Sequence, residues 1–155
     1  MRLISQVFRS TVILMILFAT VSILSSSAYA ADDYFKKYAV NVVLNDKPVE
    51  FNPNAVAWNN NTMVPFRQLF EAYGAEVNWD SKTKTVTAVK GDIKVQLTLD
   101  SFQAFINDKE YKLTQAPFVA KDSVLVNLRF ISEALGAKVN FDKAKMTVFI
   151  NWEDK

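Results

Sequence analysis

The chain has 155 residues, 18 of them basic and 16 acidic, and contains neither cysteine nor histidine. That composition excludes disulfide staples, zinc or copper sites built on nitrogen and sulfur, Ser-His or Cys-His nucleophile pairs, and an imidazole base. Carboxylate chemistry, a Ser-Lys arrangement and oxygen-ligated calcium are what remain. Arg2 and Arg9 are the only charges before residue 31, so the rest of the chain carries 16 of each sign. With that balance, no nucleic-acid partner is expected.

Residues 1–30 read as a secretory signal: two arginines, the apolar run TVILMILFATVSIL, then SSSAYA with small residues where a peptidase cuts. The apolar run is shorter than the roughly 20 residues that span a bilayer, so no membrane span is expected after cleavage. Retention as an uncleaved anchor is the alternative. Residues 31–39 read as a short, poorly ordered linker.

A domain is expected over residues 40–151, followed by a tail, 152–155. Two apolar runs flank Asn45-Asp46-Lys47, a turn whose first two residues tolerate positive φ, and predict a hairpin. AVAW and TMV, around a run of asparagines, predict a second strand pair. Pro65 suits the first position of a helix, and Phe66, Leu69, Phe70 and Tyr73 lie on one helical stripe. Gly74 follows, where a left-handed cap needs a residue without Cβ. Thereafter the period falls to two, with Ala75, Val77 and Trp79 facing inward, Asp80 opening a turn, and another strand following. IKVQLTL, about 93–99, alternates as a half-buried antiparallel strand.

The same order then recurs. Shifting the chain by 62 residues lays 41–88 on 103–150 without a gap, with 14 identities. Asn107-Asp108-Lys109 repeats the turn, Asn127 stands where Pro65 stood and suits an N-cap, and Leu128, Ile131 and Leu135 repeat the stripe. Gly136 and Asp142 repeat the glycine stop and the aspartate turn. The expected architecture is α+β: two pseudo-symmetric repeats, about 40–89 and 102–151, joined by the strand at 93–99. In each, one short helix packs on short antiparallel strands.

The phrases MVPFRQLFEAYGAEVNWDSKTKTVTA and LVNLRFISEALGAKVNFDKAKMTVFI resemble the repeat of the copper amine oxidase N-terminal domain-like family. The resemblance covers nearly all of residues 40–151 in two copies; Asn127 and Phe141 depart from the family's proline and tryptophan. It implies a stalk-like module that carries none of the copper ligands of the oxidases. It also implies an exported protein at the surface of a bacterium, of the Gram-positive kind.

Several residues invite a functional reading. Arg67 with Glu71, and Arg129 with Glu133, stand four apart on the helices. They suit a polarised carboxylate or an anion clamp, but their duplication favours a scaffold role. Asp80 and Asp142 lack the further oxygens of a calcium loop and fit turn chemistry better. Trp58 with Asn59 and Asn60 could stack on and read a sugar ring, though core packing of Trp58 is the favoured reading. Ser101 and Ser123 form no Ser-x-x-Lys arrangement. The expectation is a secreted, non-catalytic binding or spacer module of the cell envelope, with no cofactor and no metal. Its expected partner is a cell-wall glycan or another envelope protein. The alternatives are an exported hydrolase using a carboxylate pair and an interaction or inhibitor module using a sheet edge.

Overall fold

The computed structural model describes residues 30–153, which fall into two compact units divided between Lys36 and Lys37. The signal segment therefore lies outside the described residues up to position 29. Residues 30–37 form a helix, α1, where the sequence suggested an irregular linker. The reason is local: no Gly or Pro interrupts it, Asp32 and Asp33 sit in its first turn, and Lys36 and Lys37 sit in its last. Both pairs complement the helix dipole.

The second unit is α+β. Its strands are β1 (Asn41–Leu44), β2 (Lys47–Pro48), β3 (Val56–Trp58), β4 (Asn61–Pro65), β5 (Glu76–Asp80), β6 (Thr85–Lys90) and β7 (Ile93–Thr98). They continue with β8 (Gln103–Ile106), β9 (Lys109–Lys112), β10 (Phe118–Ala120), β11 (Ser123–Asn127), β12 (Lys138–Asp142) and β13 (Thr147–Asn151). Helix α2 (Phe66–Ala72) follows β4, and α3 (Leu128–Ala134) follows β11.

Turn chemistry fixes the hairpins. Asn45 and Asp46 have φ of 49° and 63°, Asn59 and Asn60 46° and 61°, and Asn107 and Asp108 49° and 64°. Lys121 and Asp122 complete the set at 48° and 59°. Two successive positive φ values are the signature of the two-residue turn that matches strand twist. Asp80 and Asp142 each fold back on their own loops: Asp80 Oδ1 accepts from Lys82 N at 2.8 Å, and Asp142 Oδ1 from Ala144 N at 3.0 Å and Lys145 N at 3.1 Å. The Lys82 N–H, helped by Thr83, holds the exposed Asp80 carboxyl below its ordinary range.

Lys84 ends the first of these loops at φ 53° with its side chain in solvent. A left-handed conformation costs an L-residue roughly 1–2 kcal/mol, part of which glycine loses again to its more flexible unfolded chain. Lys84→Gly is therefore expected to raise stability by about 0.5–1 kcal/mol, read as a higher urea midpoint at unchanged slope.

The helices insert their apolar stripes into the core. Phe66, Leu69, Phe70 and Tyr73 are buried from α2, and Leu128, Ile131 and Leu135 from α3. Pro65 is the N-cap of α2 rather than its first residue, and it supplies no side-chain bond. Asn127 caps α3 by accepting from Phe130 N. Gly74 and Gly136, at φ 65° and 85°, stop the two helices.

The sheets are not confined to the two halves of the sequence. The middle sheet runs β10-β11-β4-β3, and β11 pairs with β4 through Leu125↔Pro65, Val126↔Val64 and Asn127↔Met63. That register is symmetric about Val64 and Val126, which are 62 residues apart and fully buried. One flanking sheet runs β12-β13-β1-β2, with β1 lying parallel to β13. The other runs β5-β6-β7-β8-β9. Strand β7, which has no counterpart at the 62-residue offset, occupies the place between β6 and β8 that is closed directly by β1 and β13 in the other sheet. Each half thus completes its sheet with the hairpin of the other. A unit of about 50 residues buries too little surface to close a core alone, and this exchange produces one continuous core.

Candidate functional site

The pairing of Leu125 with Pro65 brings the β10–β11 turn alongside the first residues of α2. Strand β5, which follows α2, turns Trp79 toward the same place. Together they leave a pocket of about 300 Å³ lined by Pro65, Phe66, Arg67, Gln68, Trp79, Asp122, Ser123 and Val124. Pro65, Phe66 and Val124 are buried and form an apolar floor, Trp79 is half-buried, and Arg67 and Asp122 are exposed.

The polar groups of this pocket are distributed unequally. Gln68 is committed to the fold: Oε1 accepts from Asn52 N at 2.9 Å and Nε2 donates to Asn52 O at 2.8 Å. Arg67 lies over the ring of its neighbour Phe66, 5.4 Å from the centroid. Among the described residues, the Arg67 guanidinium, the Trp79 indole N–H, the Asp122 carboxylate and the Ser123 hydroxyl make no hydrogen bond or ion pair.

The counterpart region, 62 residues away, shows the opposite condition. Arg129, the counterpart of Arg67, donates from one nitrogen to Val139 O at 2.7 Å and to Glu133 Oε1 at 3.3 Å. Asn61, the counterpart of Ser123, accepts from Thr114 Oγ1 at 2.6 Å and from Asn127 Nδ2 at 2.7 Å. Phe141 replaces Trp79 and has no hydrogen-bonding group. The fold thus satisfies its polar groups internally on one side and leaves them open on the other.

The residues singled out from sequence are scattered by the fold. Trp58 is half-buried with its ring 5.2 Å from that of Phe118, and it does not line the pocket. Asn59 and Asn60 form the β3–β4 turn, and Asn59 donates to Gln115 Oε1 at 3.1 Å. Glu71 is exposed, forms no ion pair with Arg67 and lies outside the pocket, as does Glu133. The Arg129–Glu133 pair is about half-exposed at each partner, so it stabilises α3 by only about 0.2–0.5 kcal/mol. Gly74, Gly136, Asp80 and Asp142 serve caps and turns. Sequence reasoning overlooked Trp79, Asp122 and Ser123 as pocket residues. Its available signal was the departure between the copies, with Pro65 against Asn127 and Trp79 against Phe141.

The sequence profile of the copper amine oxidase N-terminal domain matches residues 43–150. The chain belongs to that family. No curated protein matches it. Membership fits a non-catalytic stalk or spacer module. The residues here do not suit the copper of the family's name: the chain has no histidine or cysteine. Among the described residues, no three acidic side chains gather where a metal would need them. Nor is any described helix long and apolar enough to cross a membrane.

Proposed function

We propose that this copper amine oxidase N-terminal-like domain is an exported, non-catalytic module at a bacterial cell surface, of Gram-positive type, which spaces its attachments and binds envelope material. Two copies of one supersecondary unit build it, and its binding surface is the pocket on the side of α2. The observation that carries this reading is the pocket itself: an aromatic wall, an apolar floor and four unpartnered polar groups, but a single carboxylate. A carboxylate-pair hydrolase would need two converging carboxylates, and Glu71 and Glu133 both lie elsewhere. The parallel neighbours β1 and β13 support the spacer element, because the chain enters this sheet at one end and leaves it at the other.

The test is sedimentation of residues 31–155 with purified cell walls. The protein is expected to partition into the wall pellet without releasing soluble sugar or peptide. Trp58→Ala should leave that partition unchanged, and Trp79→Ala should reduce it. Release of soluble fragments would replace the reading with an enzymatic one. Failure to bind walls would remove the envelope-binding element.

A further inference from the structure

We infer that the pocket formed by Arg67, Trp79, Asp122 and Ser123 binds a carboxylate-bearing sugar residue. The inference deepens the envelope-binding reading and rests on it for the source of the ligand. Its starting point is the contrast between two equivalent places in one fold. Arginine occurs at both, but only Arg129 is held by a carbonyl and a glutamate. Arg67 stands in the same position of its helix with neither, so a scaffold role does not account for it.

The chemistry of the lining narrows the ligand. A volume of about 300 Å³ lies at the small end of ligand pockets and suits one ring of a larger chain. The Trp79 indole beside Phe66 and Val124 offers an apolar surface on which the C–H face of a pyranose can lie. Around it the groups alternate in character: Trp79 N–H donates, Asp122 only accepts, and Ser123 does both. Ring hydroxyls are donors and acceptors at adjacent carbons and match that alternation. Arg67 adds a planar fork of donors whose preferred partner is a carboxylate, held by two parallel bonds. A neutral sugar leaves that fork without an anion, and a bare carboxylate leaves the indole and Asp122 without partners. Asp122 opposes a second negative charge close to its own carboxylate, so a single acidic group per ring is the best fit.

The position of Asp122 is built into the backbone. It is the second residue of a two-residue turn, at φ 59°, and β11 starts immediately after it. The pairing of β11 with β4 then holds that turn against α2. The cation and the anion thus stand on separate elements joined through one sheet, a preorganised arrangement that binding need not assemble.

The experiment is titration of residues 31–155 with digalacturonate, followed by tryptophan fluorescence and calorimetry. The comparison ligands are its methyl ester and an acidic peptide of equal charge. The acid is expected to perturb tryptophan emission and to bind at least about ten-fold more tightly than the ester. Arg67→Gln and Trp79→Ala should each lower affinity by about ten-fold or more, with Arg67→Lys intermediate. The counterpart changes Arg129→Gln and Phe141→Ala should leave it unaltered. Equal binding of acid and ester, tighter binding of the peptide, or an Arg67→Gln protein that binds as well as the parent would each overturn the inference. Wall sedimentation that survives Arg67→Gln would overturn it while leaving the envelope reading intact. Digalacturonate binding by a protein that ignores walls would support the pocket chemistry and remove the envelope reading.

Discussion

Truncating Phe70 to alanine is expected to lower stability by about 3–5 kcal/mol, the cost of emptying a fully buried aromatic site. For a domain of marginal stability that is enough to unfold a large share of the molecules at ambient temperature. The counterpart position on α3 predicts the opposite sign. Ser132 is fully buried there, and its hydroxyl finds no hydrogen-bond partner. Ser132→Ala removes a polar atom that folding strips of water without replacement, and should raise stability by about 1 kcal/mol. Urea denaturation of both proteins checks the pair. Equal effects in one direction would mean that the two helices do not occupy their grooves as described.

The second large effect is alkaline. Tyr73 is 1 % exposed, its ring meets Trp152 edge-on at 5.1 Å, and its hydroxyl also lacks a partner. Burial pushes its phenol up to about 12, with the nearby Ser132 hydroxyl opposing part of the rise. The neighbourhood of Ser132 eases the charge on a phenolate without closing a hydrogen bond of sound geometry. Because the folded value lies above the ordinary value of 10, the folded chain holds this proton more tightly than the unfolded chain does. The contribution is therefore complete below pH 10 and is lost as the pH rises from about 10 to about 12. Across that window it amounts to about 2–3 kcal/mol. Tyr73→Phe should lack this loss, so the stability difference between variant and parent should widen in favour of the variant above pH 10. Denaturation at pH 9, 10 and 11 measures it. A difference that stays constant with pH would show that Tyr73 ionises in the folded state as freely as in water.

The parts of this fold legible in the sequence are those governed by local chemistry. The stripes of α2 and α3, the glycine stops, the aspartate loops and the Asn-Asp turns follow from residue period and from the φ values each residue tolerates. The apolar alternation of β7 was equally plain. What escaped was set by contacts between distant segments. Nothing in NVVL or TVFIN states that the two strands lie parallel to one another, since either would pair as well with a neighbour in sequence. The pocket escaped for the same reason, because Asp122 meets Arg67 only through the register of β11 on β4. Trp79 was read as one of the aromatics facing inward, and it does pack on the core. Period alone does not distinguish a covered indole from one that borders a cavity. Phe141 shows the limit from the other side: its inward-facing register is right, but it is 43 % exposed because it lies at the end of an edge strand.

The parallel pairing of β1 with β13 has a mechanical consequence. The four residue pairs from Asn41↔Thr147 to Leu44↔Ile150 tie the first strand of the sheets to the last. Tension applied to the two ends of this domain pulls those strands past each other along their length, so their hydrogen bonds bear the load together instead of parting one by one. Asn45 reinforces the junction, its side chain accepting from Trp152 N at 2.8 Å and donating to Trp152 O at 2.7 Å. The domain is therefore arranged as a shear clamp, stiffest along the line that joins its neighbours in the chain.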